Sequence, residues 1–239
     1  TGEQLWRFHT IPQPGEIGWD QWEGTSWSHL GAANVWGTIS ADPELGYAYL
    51  PVSSVSHDRY GGERPGENVF SDCLVAVDAR TGEYVWHYQL IHHTLWNYDP
   101  PAAPILLDVT IDGEPRKIVV QVTKQSYAYV FDRITGEPIW PIVERPAPAS
   151  DVEGEFASPT QPHPTRPAAY DRQGFTEDDL INFTPELRQQ ALEEIGERRT
   201  GPLYTPPSLE GSVQMPGELG GADWVGGAVD PTTGVLYIG

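Results

Sequence analysis

The chain has 239 residues, of which 38% are hydrophobic and 11% aromatic, enough to bury a sizeable core in one or two domains. Its 34 acidic and 14 basic residues give a formal net charge of −20, which repels phosphate backbones and anionic lipids and argues against nucleic-acid or membrane-surface binding. One cysteine, Cys73, permits no internal disulfide, and no segment approaches the ~20 apolar residues of a membrane helix.

The first elements predicted along the chain are β-hairpins of two kinds. The opening segment TGEQLWRF matches the second half of one kind, whose first strand is missing. Residues 35–52 (VWGTISADPELGYAYLPV) are predicted to form the other kind, because in Asp-Pro-x-x-Gly the proline fixes φ and the glycine takes the left-handed position of a turn. Residues 73–88 (CLVAVDARTGEYVWHY) return to the first kind, with apolar residues alternating before Asp-x-x-Thr-Gly and a second apolar segment after it.

The same alternation continues toward the end of the chain. Hairpins are predicted around Asp112-Gly113 in residues 104–125, over residues 127–142, and at Asp-Pro-x-x-Gly in residues 223–239. This spacing suits four-stranded blades and predicts an all-β protein, part of a β-propeller, with about three blades where whole propellers have ~4 to 8. The repeated tryptophan after Thr-Gly, at Trp86 and Trp140, is expected to dock between neighbouring sheets.

Residues 145–222 depart from this repeat and are predicted to be an insertion within a partial propeller domain that covers residues 1–239. A Pro-rich stretch leads to a helix over about residues 185–199, where Thr184 can cap the first turn and Pro185 fits its first position. The insertion is interpreted either as a lid or as a surface feature. Because the chain begins inside one hairpin and ends on the last strand of another, we expect it to be a piece of a longer protein.

A set of spaced motifs then identifies a resemblance. These are the VWG around Trp36, HHTLWNYD, TKQ, DRITGEPIWPIVERP, SPTQPHP and GPLYTPPS. Together they resemble the pyrroloquinoline quinone (PQQ)-dependent quinoprotein dehydrogenases, most closely the membrane-bound glucose dehydrogenase-like branch, over nearly the whole chain. The resemblance implies an eight-bladed propeller that holds PQQ and a divalent cation, Ca²⁺ or Mg²⁺, over its axis.

The resemblance also implies an activity. Such an enzyme oxidises an alcohol or sugar hydroxyl to a carbonyl with hydride transfer to the quinone, passes electrons to a membrane quinone or a cytochrome, and works in the periplasm or at the outer face of the inner membrane. An alternative is a non-catalytic propeller scaffold or binding module that has lost its reactive centre. Lys124 in an axial pocket beside Trp36 favours the enzyme, whereas Lys124 at a solvent-exposed blade edge favours the scaffold.

Four positions match cofactor-contacting places of the family. Trp36 resembles the tryptophan on which the flat quinone stacks, and Lys124 resembles the basic residue that hydrogen-bonds the quinone oxygens. A lysine in the apolar stretch around residue 124 is costly without such a partner. Asp223 and Trp224 resemble a position at the cofactor edge.

Two positions depart from the family pattern. Asn97 stands where the family has the aspartate that acts as base, and Ser54 stands where alcohol-oxidising relatives have an asparagine that ligates calcium. Asn97 and Ser54 are the candidate metal ligands, although serine is a weaker, shorter ligand and the sequence shows no acidic cluster to supply the remaining oxygens. Asp99 is proposed as replacement base, since positions i and i+2 of an extended segment face the same side. The alternative is that Asp99 forms a turn before Pro100-Pro101.

Overall fold

The computed structural model describes residues 1–223 and 225–239, so the candidate cofactor residue Trp224 lies outside the described residues. The strands in this part of the chain are β1 (Ser40–Asp42), β2 (Tyr47–Val52), β3 (Cys73–Asp78), β4 (Tyr84–Gln89), β5 (Ile105–Ile111), β6 (Glu114–Val122), β7 (Ala128–Asp132), β8 (Ile142–Pro146), β9 (Thr160–Pro164), β10 (Gly227–Asp230) and β11 (Val235–Ile238). The helices are α1 (Pro185–Ile195) and the 3-10 turns Trp19–Gln21, Ser26–Ser28 and Glu177–Asp179.

A four-stranded antiparallel sheet of order β1-β2-β3-β4 confirms the two hairpins predicted first. The hairpin β1-β2 turns at the Asp-Pro-x-x-Gly sequence, where Asp42 Oδ1 accepts from the backbone N–H groups of Glu44 (2.9 Å) and Leu45 (3.1 Å). The hairpins join through β2 and β3, which pair from Tyr47 opposite Asp78 to Val52 opposite Cys73. Four consecutive antiparallel strands make up one blade of a propeller.

A second sheet, of order β5-β6-β7, confirms the hairpin around Asp112-Gly113, and β10-β11 confirms the last one. The hairpin predicted over residues 127–142 forms only in part, as one bridge between Phe131 and Pro138. Proline cannot donate to a ladder, and Pro138 and Pro141 both fall in what would be its second strand. Strand β8, which begins three residues before the predicted insertion, pairs instead with β9 within that segment.

The tryptophans after Thr-Gly dock where the repeat predicts. A Cβ on Gly136 would lie 2.6 Å from the indole of Trp86. The indole from β4 of the first sheet therefore packs directly against the Thr-Gly turn that follows β7 of the second sheet. The indole N–H of Trp86 donates to the Arg133 carbonyl at 3.3 Å. Trp6 occupies the equivalent place against Gly82. Trp6 and Trp86 thus each pack on a turn that tolerates no side chain, and Trp140 packs, partly buried, against the core of the β5-β6-β7 sheet.

An aromatic core continues between these two sheets. Tyr49 and Phe131 are both fully buried, and each ring centroid lies 5.9 Å from that of Trp86. The Tyr49 hydroxyl also donates to the Arg133 carbonyl, at 2.7 Å. Burial of these rings provides the main hydrophobic contact between the sheets.

The helix α1 is shorter than predicted. Thr184 caps it, since its Oγ1 accepts from the Leu187 N–H at 3.2 Å, and Pro185 stands at its first position as expected. The helix ends at Ile195 rather than near residue 199, because Gly196 has a φ of 54°, which stops the helical backbone. None of its residues is fully buried. Among residues 1–223 and 225–239, no helix has the length and apolar content needed to cross a bilayer.

Candidate active site

Lys124 lies in contact with Asn97 and Asp99, although 25 positions separate it from Asp99 along the chain. Lys124 lies in the turn between β6 and β7, which a bond from Ser126 N to Thr123 O closes at 3.0 Å. The Lys124 Nζ donates to Asp99 Oδ1 at 2.7 Å and to the Asn97 carbonyl at 3.2 Å. Only 5% of each of Lys124 and Asp99 is exposed, so this is a buried ion pair.

Trp36 completes this group. Its Nε1–H donates to Asp99 Oδ2 at 2.5 Å, and the Lys124 Nζ lies 5.9 Å from the centroid of its ring. Trp36 remains 48% exposed, so much of the indole is open to solvent beside a buried cation and carboxylate. Lys124 therefore lies beside Trp36 and not at a solvent-exposed edge, which is the arrangement expected of an enzyme.

Asn97 and Asp99 do not lie on an extended edge, so that premise was wrong. Asn97 has a φ of 55°, in the left-handed region that Asn tolerates. The two side chains still meet. With the Asn97 amide oriented so that its NH₂ group donates, it reaches Asp99 Oδ1 at 3.0 Å and Asp58 Oδ2 at 3.1 Å. Both carboxylate oxygens of Asp99 accept from distant side chains, contacts that a turn-forming role before Pro100 does not require.

Ser54 contacts a different carboxylate, that of Asp72. Its hydroxyl donates to Asp72 Oδ1, and the Ser71 hydroxyl donates to Asp72 Oδ2, both at 2.7 Å. Asp72 is fully buried, and this burial raises its pKa to about 7, with the negative charge of Asp99 acting in the same direction and the two serine bonds opposing it. The structure thus places Ser54 around a second buried carboxylate behind the first.

Oxygen ligands for a cation are few at this site. In the part of the chain that the structure describes, no three His, Cys, Asp or Glu side chains gather as a metal site. The oxygens nearest the Asn97 amide belong to Asp58 and Asp99. Rotating that amide by half a turn presents its oxygen to both carboxylates, an arrangement that a cation between the three groups would stabilise.

A buried arginine, not singled out from the sequence, holds Asp58 in place. Arg64 is fully buried and donates to the His57 carbonyl at 3.2 Å, to Asn68 Oδ1 at 2.9 Å, and to the Thr94 carbonyl. It therefore fastens the loop that carries Asp58 to the segment that leads to Asn97. Burial lowers the pKa of Arg64, and the neighbouring charges of Asp72, Glu155 and Asp58 counter that effect.

Residues 203–221, which we call the strap, tie the site-bearing segments together. Trp96 Nε1–H donates to the Thr205 carbonyl at 2.8 Å, and Gln214 Nε2–H donates to the Trp96 carbonyl at 2.9 Å. At the other end Gly221 N–H donates to the Lys124 carbonyl at 2.9 Å. The strap thus crosses from the Asn97 segment to the Lys124 turn.

Asp223 lies just after the strap. Its carbonyl accepts from the Gly226 N–H at 2.7 Å, in the turn that leads into β10. The proposed role of Asp223 at the cofactor edge stays a prediction, as does that of Trp224.

Antiparallel sheets that dock through a repeated tryptophan, with a polar centre formed by loops and turns, define a β-propeller protein. The family model described as "PQQ: Glucose/ethanol/alcohol dehydrogenase, beta-propeller domain" matches residues 1–239. The chain belongs to this family, which confirms the resemblance and the propeller fold; the eight-blade count stays a prediction.

Individual relatives agree with this assignment. The chain is 32% identical to the quinate/shikimate dehydrogenase (quinone) of Acinetobacter baylyi over all of its length, and 33% identical to the quinoprotein glucose dehydrogenase of Escherichia coli over 97% of it. It spans 29% of each of these relatives. A solved quinohemoprotein alcohol dehydrogenase, ADHIIG from Pseudomonas putida HK5, superposes with a TM-score of 0.66 and 28% identity, over all of this chain and 31% of that one.

Proposed function

We propose that this chain is part of a PQQ-dependent oxidoreductase that oxidises an alcohol or sugar hydroxyl to a carbonyl. The observation that carries the proposal is the open indole of Trp36 beside the buried pair of Lys124 and Asp99. Membership of the PQQ propeller family supports the identity of the cofactor.

The residues present fit a flat, acidic quinone. Trp36 offers a broad π-face, and Lys124 offers a cation at its edge, held in one position by Asp99 and the Asn97 carbonyl. When bound, the quinone supplies a two-electron acceptor for a hydride from the substrate carbon. Lys124 would stabilise negative charge on the quinone oxygens, because its charge lies in a site from which water is largely excluded.

A carboxylate is needed to remove the proton of the substrate hydroxyl, and Asp99 is the proposed base. Its Oδ1 accepts from Lys124 and Asn97, whereas its Oδ2 accepts only from Trp36 among the described side chains and keeps a lone pair for the substrate hydroxyl. Asn97 cannot take up this proton, but its amide reaches both Asp99 and Asp58 and so fixes their separation. Asp58 is the second carboxylate within reach and the competing candidate for the base.

A divalent cation, Ca²⁺ or Mg²⁺, would bind between Asn97, Asp58 and Asp99 once the amide turns its oxygen inward. Ser54 is the other candidate ligand, and its hydroxyl donates its hydrogen to Asp72 and keeps oxygen lone pairs for a cation. Electrons would leave toward a membrane quinone or a cytochrome, at the periplasmic side of the inner membrane.

The experiment is reconstitution of the full-length natural protein with PQQ and either cation, followed by dye reduction with a panel of alcohols and sugars. Asp99→Asn should abolish turnover and leave quinone bound, while Asp58→Asn should reduce turnover without abolishing it. Asp112→Asn, in the exposed β5-β6 turn, is the control and should behave as the parent protein. Full activity in Asp99→Asn would remove the base from Asp99. Failure to take up quinone with either cation would favour the non-catalytic scaffold.

A further inference from the structure

We propose that the cavity beneath the strap is the substrate pocket and that its rim selects neutral polyhydroxy compounds over hydroxy acids. This inference rests on the proposed function, because it assigns the substrate class of the same site. The cavity has a volume of about 600 Å³, within the roughly 300–1,000 Å³ typical of small-molecule sites.

Three residues that line this cavity belong to, or pack against, the segments that carry the candidate active site. Arg59 follows Asp58 directly in the chain, and Leu95 precedes Asn97 by two positions. Gly220 packs against the backbone of Lys124 so closely that a Cβ at this position would overlap it. A substrate in the cavity would therefore meet the site from the side of the strap.

The strap lines the cavity with neutral hydrogen-bonding groups. The Ser212 hydroxyl oxygen accepts from the Ser208 N–H at 3.0 Å, which leaves its own hydrogen available to a ligand. The Ser208 hydroxyl donates to the Gly211 carbonyl at 2.8 Å, which leaves its oxygen free to accept. The bond from Gln214 to the Trp96 carbonyl fixes the orientation of a third neutral group. Groups that both donate and accept suit the hydroxyls of a sugar or polyol.

Two charged side chains at the rim of the cavity discriminate against substrates that carry a carboxylate. Arg59 and Glu218 both line the cavity and form an ion pair, and their side chains are 53% and 49% exposed, so we place this pair at the rim. This pairing occupies the guanidinium that would otherwise attract a carboxylate. A substrate carboxylate would also approach Glu218, in a chain with a net charge of −20. A neutral polyol meets none of these penalties.

The test measures kcat/KM for neutral aldoses and alditols and for quinate, a carboxylated cyclic polyol, in the PQQ-loaded full-length protein. The parent protein should prefer the neutral compounds. Glu218→Gln should raise the quinate-to-neutral ratio of kcat/KM roughly fivefold, as removal of an exposed charge pair allows, mainly through KM for quinate. Glu210→Gln removes the same charge from an exposed position of the strap and should leave the ratio unchanged.

Quinone uptake, followed by absorbance, separates the two proposals. A protein that binds quinone but prefers quinate, or whose ratio does not respond to Glu218→Gln, would overturn the pocket assignment alone. A protein that takes up no quinone would contradict the proposed function. In that case the preference is measured as ligand binding instead of turnover, by saturation-transfer NMR of glucose and quinate on the parent protein and on Glu218→Gln. Equal responses of the two ligands in both proteins would overturn the pocket as well.

Discussion

Removing the charge of Lys124 should destabilise the fold strongly. In Lys124→Met the Asp99 carboxylate stays buried, with its 2.7 Å cationic partner gone. At that separation the gross attraction is about 6 kcal/mol for an effective dielectric constant of about 20, most of it offset by desolvation. Loss of one partner of a buried pair typically costs about 3–5 kcal/mol. We therefore expect a fall of about 3 kcal/mol in the free energy of unfolding.

A double-mutant cycle on the full-length protein measures this coupling by urea denaturation. Asp99→Asn combined with Lys124→Met removes both charges, so most of the lost stability should return and a coupling of about 3 kcal/mol should appear. Lys117 and Glu44 provide the control, because Glu44 is 72% exposed and their ion pair should couple by less than about 1 kcal/mol. Equal coupling in the two pairs would refute the reasoning that burial gives the Lys124 pair its strength.

Three further predictions concern the blades, the second buried carboxylate and the helix. Gly136→Ala should lower stability by several kcal/mol more than Gly113→Ala in thermal unfolding, since both glycines have positive φ but only Gly136 faces an indole. Burial raises the pKa of Asp72 from 3.8 to about 7, so the folded state holds this proton more tightly; the resulting stability is present below about pH 4 and is lost as the pH rises through 7. Asp72→Asn should therefore gain up to about 4 kcal/mol relative to the parent between pH 4 and 7 in urea unfolding, and a constant difference would contradict it. Thr184→Ala should speed amide exchange in the first turn of α1, at a local cost of about 1 kcal/mol, and Thr184→Ser should not.

The blade pattern could be predicted because short sequence motifs specify its turns. Asp-x-x-Thr-Gly and Asp-Pro-x-x-Gly fix φ and supply a side-chain acceptor, so the hairpins follow from local chemistry. The incomplete second strand over residues 138–142 was readable in principle from Pro138 and Pro141, whereas the pairing of β8 with β9 depends on a segment further along the chain. The end of α1 at Gly196 was readable in principle, since glycine commonly follows the last helical residue.

The site was predictable only where the family resemblance pointed to it. Trp36, Asp99 and Lys124 meet as expected, yet they do so through loop conformations such as the left-handed backbone of Asn97, which no periodicity reveals. Arg64 lies in a Gly-rich loop with no pattern that marks it as buried. Nor did the Pro-rich composition of the segment that includes the strap indicate which backbone groups it would contact.

Stacking of a quinone on Trp36 is measured by a binding titration. PQQ is titrated into the full-length parent protein, Trp36→Ala, and Phe183→Ala, which removes an aromatic side chain that is 85% exposed. The account predicts that Trp36→Ala weakens binding at least about tenfold, or 1.4 kcal/mol, because the ring loses its stacking surface, while Phe183→Ala binds as the parent does. Equal affinity in all three proteins would contradict it.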